Sequence, residues 1–548
     1  MLLGIDVGGT FTDAVIVAQG KMLAKTKTVT THGDLLQGIF CAIDTVMSEA
    51  PGTIERVTLS TTVVTNSLVE GTIDPVGLLV IPGPGMNIAP LLPGKAVVLS
   101  GYIDHRGRET AKLIKQEIAD AYQFFTDRSC FAVSGKFAVR NPAHELAVER
   151  ESAGMSGVKH VTIASQIAGS LNFLRRTNSA YFNAAVWDKF RQFAAAVEGA
   201  LVARGVAAPV HILKADGGTM PLAMAKCQPV EAIFTGPAAS VLGIMAIGSC
   251  KGEAISLDIG GTTTDIALWH NGVPLFAERG AAIGGYPTAV RAFWLRSVGL
   301  GGDSWVRRSN DKLLIGPERV GPAMAAGGME PTVADAMIVA GLADFGTRSL
   351  AYQAMKQVAL PGRTPEQTAQ EVLAGATDII CTAISDMLAA HQAQPVYTVN
   401  DMVNTKTFTP AAIIGVGGTA AGLAPLVARR LKIDCLVPDN GAVANALGAA
   451  VARATTDITV RVDTEQRLLT VAELSIQEKL SNKSVTMKDV RQLAEKYLAD
   501  RSDRFGILPD EAETLYEEEF NIVRGFQTTG KIITCRKQVK PGVLTDVR

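Results

Sequence analysis

Two eight-residue stretches carry the residue types that phosphate and metal chemistry require. The first is Asp6-Val7-Gly8-Gly9-Thr10-Phe11-Thr12-Asp13, and the second is Asp258-Ile259-Gly260-Gly261-Thr262-Thr263-Thr264-Asp265. Paired glycines allow several backbone N–H groups to converge on one point, and their missing Cβ atoms let an anion approach closely. Thr10 and Thr12, or Thr262 and Thr264, would add hydroxyl donors. Asp6 and Asp258 cannot ligate phosphate directly, because like charges repel. They fit a hard cation lying between them and the phosphates, Mg²⁺ held largely through waters. Asp13 and Asp265 remain as catalytic candidates that would orient an acceptor or a water.

Such residues need strands to hold them. Apolar runs flank each motif, Leu2–Ile5 and Ala14–Val17 around the first and Ala254–Leu257 and Ile266–Trp269 around the second. Each unit reads as a β-hairpin with a glycine elbow. Six of the eight motif positions are identical, so the chain is read as a duplicated half-domain whose opposed hairpins grip a polyphosphate from both sides. A third glycine turn, Gly415-Val416-Gly417-Gly418-Thr419, follows a strand and opens a helix from Ala420 to Leu431. Two Ala/Gly-rich helices, at 235–248 and 441–453, have little side-chain bulk and are expected to cross at the cleft floor. From about residue 456 the composition turns charge-dense. Thr486 and Asp489 mark a helix start there, and Glu517-Glu518-Glu519 form an acidic cluster expected on a solvated helical module.

At 548 residues, with 47% hydrophobic and 19% charged, the chain can bury several large cores and is not a disordered polymer. The net charge of −1 gives no field for nucleic acid or an anionic membrane, and neither partner is expected. Seven cysteines at scattered positions suggest neither a disulfide framework nor a metal knuckle. Cys227 and Cys250 are expected in the core. With Asp6 only five residues in and no long uncharged apolar run, the expected location is the cytoplasm. Ser134-Gly135-Lys136-Phe137 lacks the upstream glycine of a P-loop, and neither a zinc-hydrolase pair of histidines nor a Gly-x-Ser-x-Gly elbow is present. Asn141-Pro142 before His144-Glu145 reads as a helix start, with Glu145 in the first turn.

The triple glycine pattern resembles the superfamily of actin, sugar kinases and heat-shock ATPases. The resemblance implies a two-lobed α/β fold of duplicated ribonuclease-H-like domains. It assigns Gly8, Gly9 and Thr10 to one phosphate loop, Gly260, Gly261, Thr262 and Thr263 to the other, and Gly417 and Gly418 to the nucleoside. A narrower set occurs in the order seen in the hydantoinase/oxoprolinase family: the two hairpins, Thr61-Thr62-Val63, Asn141-Pro142-Ala143-His144-Glu145, Thr235-Gly236-Pro237-Ala238-Ala239, Ile283-Gly284-Gly285-Tyr286-Pro287 and Glu330-Pro331-Thr332. The chain looks like its A-type ATP-binding subunit. The implied organisation is an N-terminal lobe over 1–185, a second lobe over 186–455 and a small C-terminal module over 456–548.

The implied activity is ATP- and Mg²⁺-dependent phosphoryl transfer that activates a small cyclic amide or carbonyl substrate, in an oligomer with a B-type hydantoinase subunit or another protein partner. A small-molecule kinase and an ATP-driven regulatory or reactivating protein that remodels a partner are the alternatives. The chain departs from the family pattern in carrying Leu59-Ser60 where His-Gly is usual and Leu295-Arg296-Ser297 where Asp-x-His is usual. A Pro-Gly-Pro-Ala-Cys-Tyr stretch is reduced around Gly321-Pro322-Ala323, and a short tail replaces a large C-terminal domain. These changes are expected to avoid the nucleotide hairpins.

Overall fold

Both glycine motifs fold into antiparallel hairpins with the same register. Strand Leu2–Val7 pairs with Phe11–Ala18, setting Asp6 opposite Asp13, and strand Ala254–Ile259 pairs with Thr264–His270, setting Asp258 opposite Asp265. The computed structural model describes residues 1–30, 35–248, 252–277, 279–393, 408–481, 484–508 and 511–547. Around each hairpin the sheet grows in the same order. The first runs Lys21–Val29, Phe11–Ala18, Leu2–Val7, Arg56–Thr61 and Val210–Leu213, with Thr219–Pro221 at its edge. The second runs Val273–Pro274, Thr264–His270, Ala254–Ile259, Ala412–Val416 and Asp434–Leu436. In both sheets the hairpin is antiparallel and the next strand after the leading one is parallel. Two such half-domains together make the two-lobed actin-like architecture.

A four-stranded parallel sheet, His160–Ile163, Cys130–Gly135, Val76–Ile81 and Ala96–Val98, extends the first lobe. Helix Ala143–Ser152 begins where Asn141-Pro142 indicates. Its Glu145 is fully buried, accepting hydrogen bonds from Gly135 N (2.7 Å) and from Ser165 N and Oγ (3.0 and 2.6 Å). Helix Phe173–Ala203 runs through residues 185 and 186, and strands 210–221 belong to the first sheet. We therefore propose a first lobe ending after residue 221, with the second beginning at helix Thr235–Ile247.

That helix crosses Ala444–Val451 by backbone contact, as its small residues require. A Cβ at Gly243 would lie 2.2 Å from Ala444 O, and one at Gly448 would lie 2.0 Å from Ala239 O. The segment 441–453 is not one helix: Gly441–Val443 is a 3₁₀ turn and the α-helix ends at Val451. Beneath the pair, Val15 and Val17 pack against Ala246, Ala446, Leu447 and Ala450, joining the lobes by an apolar seam.

The C-terminal module corrects the expectation of a solvated helical decoration. Five antiparallel strands, ordered Ile476–Lys479, Leu468–Val471, Asp457–Asp463, Gln527–Val539 and Ala512–Arg524, carry one helix, Met487–Arg504. The helix has the Thr486–Asp489 capping box and buries Val490, Ala494 and Leu498 against Ile458, Val460 and Ile533. Glu517, Glu518 and Glu519 lie on a strand, where Glu517 pairs with Arg491 (2.6 Å) and Glu519 with Lys531 (2.6 Å). Strand alternation in 512–524 puts Glu517 and Glu519 on one face and Glu518 on the other, so the cluster is divided between two faces of a sheet instead of lying along a helix.

One helix among the described residues, Pro365–Gln392, is long and apolar enough to cross a membrane. It buries Val372, Ile380, Ile384 and Met387 in the core of the second lobe. Cys227 is exposed, against expectation, and Cys250 lies outside the described residues.

Candidate functional site

The two elbows close in the same way. Gly8 N donates to Phe11 O and Gly260 N to Thr263 O, each at 3.0 Å. They also face one another across the cleft: a Cβ at Gly261 would lie 3.2 Å from Thr10 Oγ1 and 2.8 Å from Asp303 Oδ2. A Cβ at Gly9 or Gly418 would meet nothing within 4 Å, so both glycines border open space. Gly417 has φ +95° and sits directly over the second carboxylate, where a Cβ would lie 2.5 Å from Asp258 Oδ1. Only glycine fits there. The third turn is tied to the second elbow by Thr419, whose Oγ1 donates to Ile259 O (3.0 Å) and Gly260 O (3.1 Å).

Cross-strand pairing puts both acids of each motif on one sheet face. Asp6, Asp13 and Asp258 are buried and Asp265 is half-buried. Burial, reinforced by the charges of Asp265 and Asp6, pushes the Asp258 carboxyl up to about 8, against the opposing influence of Asn445 and Lys27. Burial also raises Asp13 to about 6 despite Lys27, and Asp265 to about 6 despite a hydrogen bond from Ser297. Asp6 is raised for the same reason, opposed by Ser60, Asn445 and Lys27. Lys27 Nζ donates to Asp13 Oδ2 at 2.6 Å. Asp6 Oδ1 and Asp13 Oδ1 are buried without a hydrogen-bond partner.

Four buried or half-buried acids beside Lys27 ionise at a cost that a bound cation would relieve, and the orphaned oxygens of Asp6 and Asp13 suit one. No three ligating side chains among the described residues form a closed metal cage. The donor set therefore suits a hydrated divalent ion, which takes one or two carboxylates and fills the rest of its shell with water and phosphate oxygens.

The structure brings the sequence candidates together with one correction. Thr12 is fully buried, its Oγ1 shared with Thr30 Oγ1 (3.1 Å), which in turn donates to Gly8 O (2.9 Å). Thr264, its counterpart, is equally buried and donates to Leu300 O (2.7 Å). The last threonine of each motif, Thr12 or Thr264, is turned into the fold and is not available to a ligand. The half-buried Thr10 and Thr262 and the exposed Thr263 remain on the open side.

Sequence reasoning missed Lys27, Asn445, Asp303 and Arg319. Lys27 was within reach of the sequence. The positive φ angles of Gln19 and Gly20 make a tight turn, and folding the chain there sets Lys27 opposite Asp13. Asn445 and Asp303, which pairs with Arg319 at 3.2 Å, come from distant segments and leave no local signal. A further correction concerns the departures from the family pattern. Ser60 lies in register with Asp6 and Ser297 with Asp265, and each stabilises that carboxylate, so two of these changes border the hairpins.

Fold and paired elbows define a two-lobed ATPase-type protein of the actin-like class. Residues 2–153 match the hydantoinase/oxoprolinase N-terminal region and residues 176–458 match hydantoinase/oxoprolinase. The chain belongs to the hydantoinase/oxoprolinase family. It is 27% identical over 382 residues to the caprolactamase alpha subunit of Pseudomonas jessenii, covering 62% of this chain and 55% of that protein. It is 26% identical over 391 residues to the acetophenone carboxylase gamma subunit of Aromatoleum aromaticum, covering 62% and 53%. The chain thus spans about half the length of these curated relatives. Among solved structures, the ATP-dependent caprolactamase of Pseudomonas jessenii superposes with a TM-score of 0.71 at 20% identity, over 98% of this chain and 87% of that one. A nucleotide-free acetone carboxylase superposes with a TM-score of 0.70 at 18% identity, over 99% and 87%. These two likenesses concern the fold.

Proposed function

We propose that the chain is an ATP-dependent subunit that activates a small cyclic amide, or a related carbonyl compound, by phosphoryl transfer. The observation that carries this reading is the opposition of the two glycine elbows, with Gly261 and Thr10 facing each other above an acidic seam. ATP is the expected reactant, with Mg²⁺ neutralising phosphate charge when bound.

Backbone amides of Gly8, Gly9, Gly260 and Gly261, with the hydroxyls of Thr10, Thr262 and Thr263, hold the phosphates. Gly417 and Gly418 border the nucleoside. Asp6 and Asp258 fix the hydrated cation, steadied by Asn445. Asp13, held by Lys27, and Asp265, held by Ser297, orient the acceptor or a water.

The chemistry suits such a site. A lactam carbonyl resists water because amide resonance weakens the electrophile. Attack of its oxygen on the γ-phosphorus forms an O–P bond and releases ADP. Water then adds to the activated carbon, the C–N bond breaks as the nitrogen takes up a proton, and the acyl phosphate left behind is hydrolysed by a second water to the carboxylate and inorganic phosphate. Alignment and charge stabilisation suffice for the first step. The ring-opening step falls to a B-type partner subunit, in an oligomer with this chain.

ADP release tests the reading. Measured with caprolactam, 5-oxoproline, hydantoin and a simple ketone, with and without a B-type subunit, it should rise with at least one compound. Stimulation by none of them, together with stimulation by a protein partner alone, would overturn it in favour of an ATP-driven remodelling protein.

A further inference from the structure

A cavity of about 630 Å³ lies where the C-terminal module meets both lobes. Its walls come from residues 139–175 of the first lobe, 276–291 of the second and 459–536 of the module, and none belongs to a glycine elbow. Six arginines line it against a single carboxylate, Glu518. Several of these cations are already engaged: Arg175 with Thr288 O (2.9 Å), Arg536 with Asp457 (2.7 Å), and Arg291 with Gln538 while stacked 4.2 Å from the Phe276 ring.

Arg461 is different. It is only 6% exposed, yet its Nε, Nη1 and Nη2 have no hydrogen-bond partner. Its nearest acid, Asp463, stands 3.8 Å away and is committed to Arg106 at 2.9 Å. Arg140, contributed by the first lobe, also has a buried Nε without a partner. A buried guanidinium with unsatisfied donors is costly, and its planar fork matches the two oxygens of a carboxylate.

We propose that this cavity binds a small organic carboxylate, with Arg461 as the anchor and Arg140 as a second donor. Leu171, Phe276 and Ile532 give the wall an apolar share, which calls for a ligand with a hydrocarbon body. Phosphate has no hydrocarbon body to cover these apolar residues, so a monocarboxylate fits better than phosphate. Because all three parts of the molecule contribute walls, the ligand also pins the module against the lobes. The site is independent of the nucleotide reading and stands or falls separately from it.

Titration calorimetry on the full chain without nucleotide provides the test, with hexanoate, its neutral isostere hexanamide and inorganic phosphate as probes. Hexanoate should bind saturably and better than hexanamide, and Arg461→Met should raise its Kd about tenfold or more. MgATP uptake, measured alongside, should be the same in both proteins. Arg140→Met should weaken hexanoate in the same direction, and carries the test if Arg461→Met does not fold. Equal binding of hexanamide, preference for phosphate, or hexanoate affinity unchanged in the folded variants would each overturn the proposal.

Discussion

At the scale of single residues, the site is defined by buried acids whose charged forms are costly in the protein alone. Asp258 is the extreme case, with its carboxyl held near 8 by burial and by neighbouring acids. A folded value above the unfolded one means that the native state holds the proton more tightly, so this group lowers stability as pH rises from about 4 to about 8. Asp258→Asn should therefore raise the thermal midpoint of metal-free protein at pH 8, with the gain shrinking toward pH 5. The same variant should lose Mg²⁺-dependent ADP release by about 100-fold or more, since a group that acts on developing phosphate charge is worth that much. Lys27→Met removes the cation that pulls Asp13 down. The acid limb of the ADP-release pH profile should then move to higher pH.

At the scale of elements, duplication governs. The Asp-x-Gly-Gly-Thr echo was legible in the chain, and the hairpin symmetry that sets Asp6 opposite Asp13 and Asp258 opposite Asp265 follows from it. The crossing helices were legible too, because Gly243 and Gly448 have no other use than close approach. Gly448→Val should destabilise the chain by about 3 kcal/mol in a denaturant titration, as overpacking a backbone crossing does. Less legible were the roles of Thr12 and Thr264. A threonine beside a glycine elbow reads as a ligand, and only the neighbours Thr30 and Leu300 turn it into a brace. Ser60 and Ser297 were hidden for a related reason: their closeness to the hairpins depends on strand pairing between segments about 30 to 50 residues from their partners.

At the scale of the molecule, two lobes and a module are joined by a few strong contacts. Arg106 of the first lobe reaches the fully buried Asp463 (2.9 Å) and Glu465 (2.6 Å) of the module. Removing one partner strands a buried carboxylate, so Arg106→Ala should cost about 3 kcal/mol and speed proteolysis at the module boundary. The module's β architecture was the least legible part of the fold, since its charges masked a period-two pattern and its docking is set by residues more than 300 apart in sequence. Every role proposed for the cleft depends on both elbows closing on one triphosphate. Titration calorimetry of the full chain with MgATP tests that most directly. Saturable uptake of one equivalent is expected, lost in Gly261→Val, whose side chain would crowd Thr10 and Asp303. Folded wild-type protein that takes up no MgATP would contradict it.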